Sequence, residues 1–91
     1  MLAAGTVDHV RPPIRLIVTK ALQANASAVI VAHNHPSGAA EASESDRLFT
    51  EDLFGALKPI GVKLLDHCVV TGDAVYSFAD NGLMDEIALT A

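Results

Sequence analysis

The chain has 91 residues and a net charge of −5, from six basic and eleven acidic side chains. That balance works against sequence-independent binding to phosphate backbones and gives a nucleic-acid partner no support. No apolar run approaches the ~18 residues a bilayer span needs, and Met1 to Gly5 lacks the charged start and long apolar core of a signal peptide, so a soluble, cytoplasmic protein is expected.

The length suits one domain over residues 1–91. Its residues are 51% apolar but only 4% aromatic, so the core must be built from Ala, Val, Ile and Leu. Leu2 to Val7 is short and apolar and is expected to be a strand or the tail of one. Between Pro13 and Asn25, the residues Ile14, Ile17, Val18, Ala21 and Leu22 recur with helical spacing; proline suits the entry and Asn25 the exit. Ala28 to Ala32 is a continuous run of strand length, as expected for a strand covered on both faces.

A polar loop follows, with His33 and His35 at its start. Ser43, Glu44, Ser45 and Asp46 then form a capping-box-like opening to a second helix, whose apolar face is Leu48, Phe49, Leu53, Ala56 and Leu57 and whose end is marked by Pro59 and Gly61. Val62 to Thr71 is the next strand, Gly72-Asp73 a turn, and Ala74 to Phe78 its hairpin partner. Asn81-Gly82 is a further turn, and Leu83 to Ala91 is a short helix or a loose tail. The order β-α-β-α-β-β predicts an α/β (α+β) domain with helices packed on a mixed sheet. The single cysteine, Cys68, falls in a strand-like run and cannot form an internal disulfide, which fits a reducing compartment.

His33 and His35 are two apart in an extended segment and project to the same side. Asp46 lies eleven residues after His35, in the first turn of a helix that the intervening loop can bring back toward the strand end. Two imidazoles and one carboxylate leave one tetrahedral position for water, the pattern of catalytic zinc. Zinc there would lower the pKa of bound water to about 7, and a donor such as the Ser43 hydroxyl would steady the oxyanion of an attacked carbonyl. Ser43 also suits the role of helix N-cap, and Asp46 that of a charge complementing the helix dipole, but the dipole role does not account for the register of Asp46 with the histidines. The Asp66-His67 pair is a candidate for orienting a metal ligand from behind.

The pattern His33-x-His35-x7-Ser43-x2-Asp46 resembles the signature of the JAMM (MPN+) metalloproteases. "HNHPSG" and the downstream "LLDHCVVTG" are similar to the RadC branch of that family, once labelled DNA repair proteins. The resemblance runs from Gly5-Thr6 to about Leu83. It implies a cytidine-deaminase-like fold, zinc on His33, His35 and Asp46, Ser43 assisting the oxyanion, and hydrolysis of peptide, amide or isopeptide bonds. The family's general acid/base is a strand-borne glutamate a few residues ahead of the Gly5-Thr6 position, where this chain has only Met1 to Ala4; its first glutamate is Glu41. Other departures are Ile14-Arg15-Leu16 in place of Pro-Arg-Glu, and Ala39, Ala40 and Ala42 where the family has Asp and prolines. The chain thus resembles a domain lacking the family's first strands, and an unpaired sheet edge near Leu2 to Val7 is expected to favour homo-oligomers. Glu41 and Glu44 are poor replacement bases, because a loop acid is not held within the ~2.6–3.2 Å that proton transfer needs. The alternatives are a noncatalytic interaction or remnant domain that keeps the fold and the zinc, and a DNA-associated accessory, which rests on the historical label alone.

Overall fold

The computed structural model describes residues 2–4, 13–34, 44–72 and 74–90. Four strands form one mixed sheet in the order β1 (Leu2–Ala4), β2 (Ala28–Asn34), β3 (Lys63–Val70), β4 (Val75–Ser77). The first three run parallel, and β4 returns antiparallel beside β3. Helices α1 (Ile14–Gln23) and α2 (Glu44–Leu57) are the crossovers between the parallel strands, and α3 (Leu83–Thr90) follows β4. The mixed α/β architecture expected from the sequence is therefore present, with the final stretch a helix. No helix among the described residues is long and apolar enough to cross a membrane.

Two successive crossovers along β1, β2 and β3 of the usual right-handed sense place α1 and α2 on the same face of the sheet, and the two helices pack on each other. That face carries the core: Ile17 and Ala21 of α1, Leu53 and Leu57 of α2, Val29 and Val31 of β2, and Leu64 and Val69 of β3. Burial along β2 alternates, with Ala28, Ile30 and Ala32 only half-buried. The expectation that β2 is covered on both faces is corrected here: its apolar run is continuous, but the crossovers put both helices on one side.

Helix α1 ends as Asn25 predicts. Asn25 adopts a left-handed backbone (φ 52°), the Ala26 amide donates to the Ala21 carbonyl at 2.9 Å, and the Asn25 amide donates to the Leu22 carbonyl at 3.1 Å. This is the Schellman arrangement that satisfies a helix's last carbonyls. A 3-10 turn at Lys58–Ile60 after α2 is closed in the same way through Gly61 (φ 75°), with the Val62 amide on the Leu57 carbonyl. Glycine meets the positive φ without steric cost.

One irregularity decides what the end of β3 presents to the core. Val29 pairs with Leu64, but the next residue, Ile30, pairs with Asp66, so Leu65 is an extra residue on β3. A bulge of this kind reverses the alternation of faces. Before it Leu64 points into the core; after it His67 and Val69 do, while Asp66 and Cys68 turn to the half-buried face.

Candidate metal centre

Three buried stripes change from apolar to polar at the same end of the molecule. Along β2 the buried residues run Val29, Val31, His33. On α2, read backwards, they run Leu57, Leu53, Thr50, Asp46, one stripe of a helix face. On β3 His67 lies beyond the bulge. The polar ends meet at the carboxyl ends of the parallel strands and the amino end of α2, the region where open α/β sheets bind ligands.

His33 Nε2 lies 3.3 Å from Asp46 Oδ1, with both side chains almost wholly out of solvent. On the other edge of the ring, His33 Nδ1 is 2.8 Å from His67 Nε2. His67 Nδ1 is in turn 2.6 Å from the Thr50 hydroxyl, which donates to the Asp46 carbonyl oxygen at 2.7 Å. Ring contacts hold His67 in place: Phe78 stacks on it with centroids 4.7 Å apart, and Phe49 meets it edge-on at 5.7 Å. His33, Asp46 and His67 each offer a ligand-type atom, and these atoms lie within 4.8 Å of one another.

This donor set suits a metal ion. Two ligands about 2.0–2.2 Å from one tetrahedral ion stand roughly 3.3–3.5 Å apart, and His33 Nε2 and Asp46 Oδ1 have that spacing. A charge-assisted hydrogen bond between an imidazolium and a carboxylate would sit nearer ~2.7–2.9 Å. Of the residues singled out in the sequence, His33 and Asp46 are brought together as their register suggests. His35 and Ser43 lie outside the described residues, as do Glu41 and Gly5-Thr6.

Asp66 takes no part in this cluster. Its Oδ1 accepts the amides of His67 (2.7 Å) and Ala79 (2.9 Å), and its Oδ2 accepts the Ser77 hydroxyl. It therefore braces β3 against the turn after β4 on the opposite face of the sheet. Beside it, burial and the Asp66 carboxylate push the Cys68 thiol up to about 11, so it stays protonated and unreactive at neutral pH. A surface cleft of about 620 Å³ at the start of β3 is lined by Phe54, Lys58, Val62, Leu64, Met84 and Ala88. It belongs to the other end of the strand and brings no metal-ligating cluster with it among the described residues.

Thr50 carries no motif in the sequence, and His67 stands out there only as half of the Asp66-His67 pair in the strand Val62 to Thr71. A signal for His67 was present: Leu64 and Val69 are both core-type residues but sit five apart, which a strand can bury on one face only if its phase slips between them.

The pattern of the RadC-like JAB domain matches residues 1–83. The chain belongs to the RadC-like JAB domain family. Among curated relatives, the UPF0758 protein YeeS of Escherichia coli (strain K12) is 43% identical over 83 residues, covering 91% of this chain and 56% of that protein. A UPF0758 protein of Chromobacterium violaceum is 47% identical over 78 residues, covering 86% of this chain and 35% of the relative. One from Janthinobacterium sp. (strain Marseille) is 51% identical over 81 residues, with 89% and 36% covered. The chain thus spans from about a third to just over half the length of these UPF0758 relatives.

Proposed function

We propose that this RadC-like JAB domain binds zinc through His33, His35 and Asp46 and serves a metal-dependent hydrolase acting on peptide, amide or isopeptide bonds. The observation that carries the reading is the buried His33–Asp46 pair, set at ligand-to-ligand spacing where the parallel strands end. His33 supplies a nitrogen donor from β2 and Asp46 an anionic oxygen from the first turn of α2. His35, two residues beyond His33, would add the third donor, and the Ser43 hydroxyl would steady an oxyanion. Bound zinc would supply Lewis acidity and a water of lowered pKa.

Cleaving an amide also requires a proton for the departing nitrogen, and general acid/base help of this kind is worth ~10²–10⁴ in rate. Met1 to Ala4 offer no carboxylate for that task, which favours a second reading in which these residues alone form a noncatalytic, metal-holding unit. The test is to assay residues 1–91 beside a version extended upstream by a strand that carries a glutamate. The expected result is zinc binding by both and zinc-dependent turnover only by the extended one. Equal turnover by both, abolished in each by His35→Ala, would place the base within this chain, at Glu41 or Glu44.

Self-association through the outer edge of β1 is part of the same proposal, since among the described residues β1 pairs with β2 alone. Sedimentation should find a dimer or larger species at high micromolar concentration, and a clean monomer would refute it.

A further inference from the structure

We infer that His67 and Thr50 are positioning residues: a relay running from the α2 backbone through both side chains puts the proton of His33 on Nδ1, so that Nε2 would be the atom offered to the proposed ion, and His67 itself is not a ligand. The metal part of this inference rests on the function proposed above; the proton assignment does not.

A backbone carbonyl can only accept a hydrogen bond. The Thr50 oxygen is 2.7 Å from the Asp46 carbonyl oxygen, so the hydroxyl proton belongs there, the usual back-bond of a threonine inside a helix. That hydroxyl has no second proton, so its 2.6 Å contact with His67 Nδ1 requires Nδ1–H to be the donor. In a neutral imidazole with Nδ1 protonated, Nε2 is an acceptor. The 2.8 Å contact between His67 Nε2 and His33 Nδ1 then makes His33 Nδ1–H the donor. What remains is His33 Nε2 with its lone pair directed at Asp46 Oδ1, 3.3 Å away. At that spacing the lone pair and the carboxylate oxygen would both be placed to ligate the proposed ion. Both ring nitrogens of His67 are engaged in the relay, so a metal bond to either would break one of its links.

The geometry around the relay supports the assignment. The bulge at Leu65 gives His67 its inward direction, and stacking on Phe78 with an interplanar angle of 21° fixes the ring plane. A metal-bound histidine normally has its second nitrogen oriented by a partner of this kind. Here the partner is a second histidine whose own tautomer is set by a helix carbonyl through Thr50.

The experiment is long-range proton–nitrogen NMR on isotope-labelled histidines, in the metal-free and the zinc-loaded chain at mildly alkaline pH. His67 is expected as the Nδ1–H tautomer in both forms, and Thr50→Val is expected to release that preference. On loading, the nitrogen shift characteristic of metal ligation should appear at His33 and not at His67. An Nε2–H tautomer at His67, or a metal-ligation shift on its ring, would overturn the inference. In parallel, His67→Phe keeps the aromatic packing but cannot accept from His33, and should weaken zinc binding about 10–100-fold in a chain that still gives a folded amide spectrum. His67→Gln offers an acceptor and a donor in similar places and should recover most of that loss; wild-type affinity in folded His67→Phe would refute the role. A chain that takes up no zinc would defeat the proposed function, while the metal-free tautomer of His67 would still decide the relay.

Discussion

Replacing Asp66 with alanine should damage the fold without touching the proposed ligands. The carboxylate accepts the His67 amide at 2.7 Å, the Ala79 amide at 2.9 Å and the Ser77 hydroxyl, tying β3 to β4 and the turn beyond it. Hydrogen bonds to a charged group contribute about 1.5–3 kcal/mol each. Asp66 is half-buried and Ala79 is exposed, so part of that sum returns when water replaces the carboxylate. A net loss of about 2–3 kcal/mol is the expectation, which in a domain of this size lowers the midpoint of thermal unfolding by roughly 10–20 °C. Asp66→Asn keeps an oxygen for the two amides and should lose about 1 kcal/mol or less. Equilibrium urea unfolding measures both, with unchanged slopes showing that the native state is otherwise intact. A loss below about 0.5 kcal/mol for alanine, or asparagine as damaging as alanine, would refute the account of Asp66 as a brace that works through its acceptor geometry.

Three further outcomes follow from the same structure. Cys68, pushed up to about 11, should alkylate at neutral pH at least about a hundredfold more slowly than in the urea-unfolded chain, because only the thiolate reacts; a rate within a few-fold of the unfolded chain's would contradict this. Leu53→Ala, at a fully buried position between α2 and the sheet, should cost about 2–5 kcal/mol in urea unfolding. Zinc at a hundredfold excess over its dissociation constant should stabilise the fold by about 2.7 kcal/mol, since His33 and Asp46 sit on separate elements that only folding brings together; differential scanning fluorimetry should show this shift and its disappearance in Asp46→Ala.

Much of this architecture was legible in the sequence because local signals agreed with the global pattern. The spacing of Ile14, Ile17, Val18 and Ala21 located α1, Asn25 its left-handed end, and the turn before Ala74 the antiparallel return of β4. The juxtaposition of His33 and Asp46 was also legible, because the strand end and the helix start each leave one direction for a side chain. What escaped was non-local. The half-exposed face of β2 depends on both crossovers lying on one side of the sheet, which no single segment encodes. The entry of His67 into the site depends on the one-residue slip at Leu65, which moves every later side chain of β3 to the opposite face. Thr50 looked like an ordinary helix residue because its partner lies 17 residues away on that slipped strand.

Elemental analysis of protein loaded with zinc and then desalted decides whether the buried His33–Asp46 pair holds a metal ion. Wild-type chain should retain about one zinc per molecule, and Asp46→Ala and His33→Ala, checked for folding by circular dichroism, should retain far less because each removes a ligand. No zinc in folded wild-type protein, or an undiminished amount in folded Asp46→Ala, would contradict it.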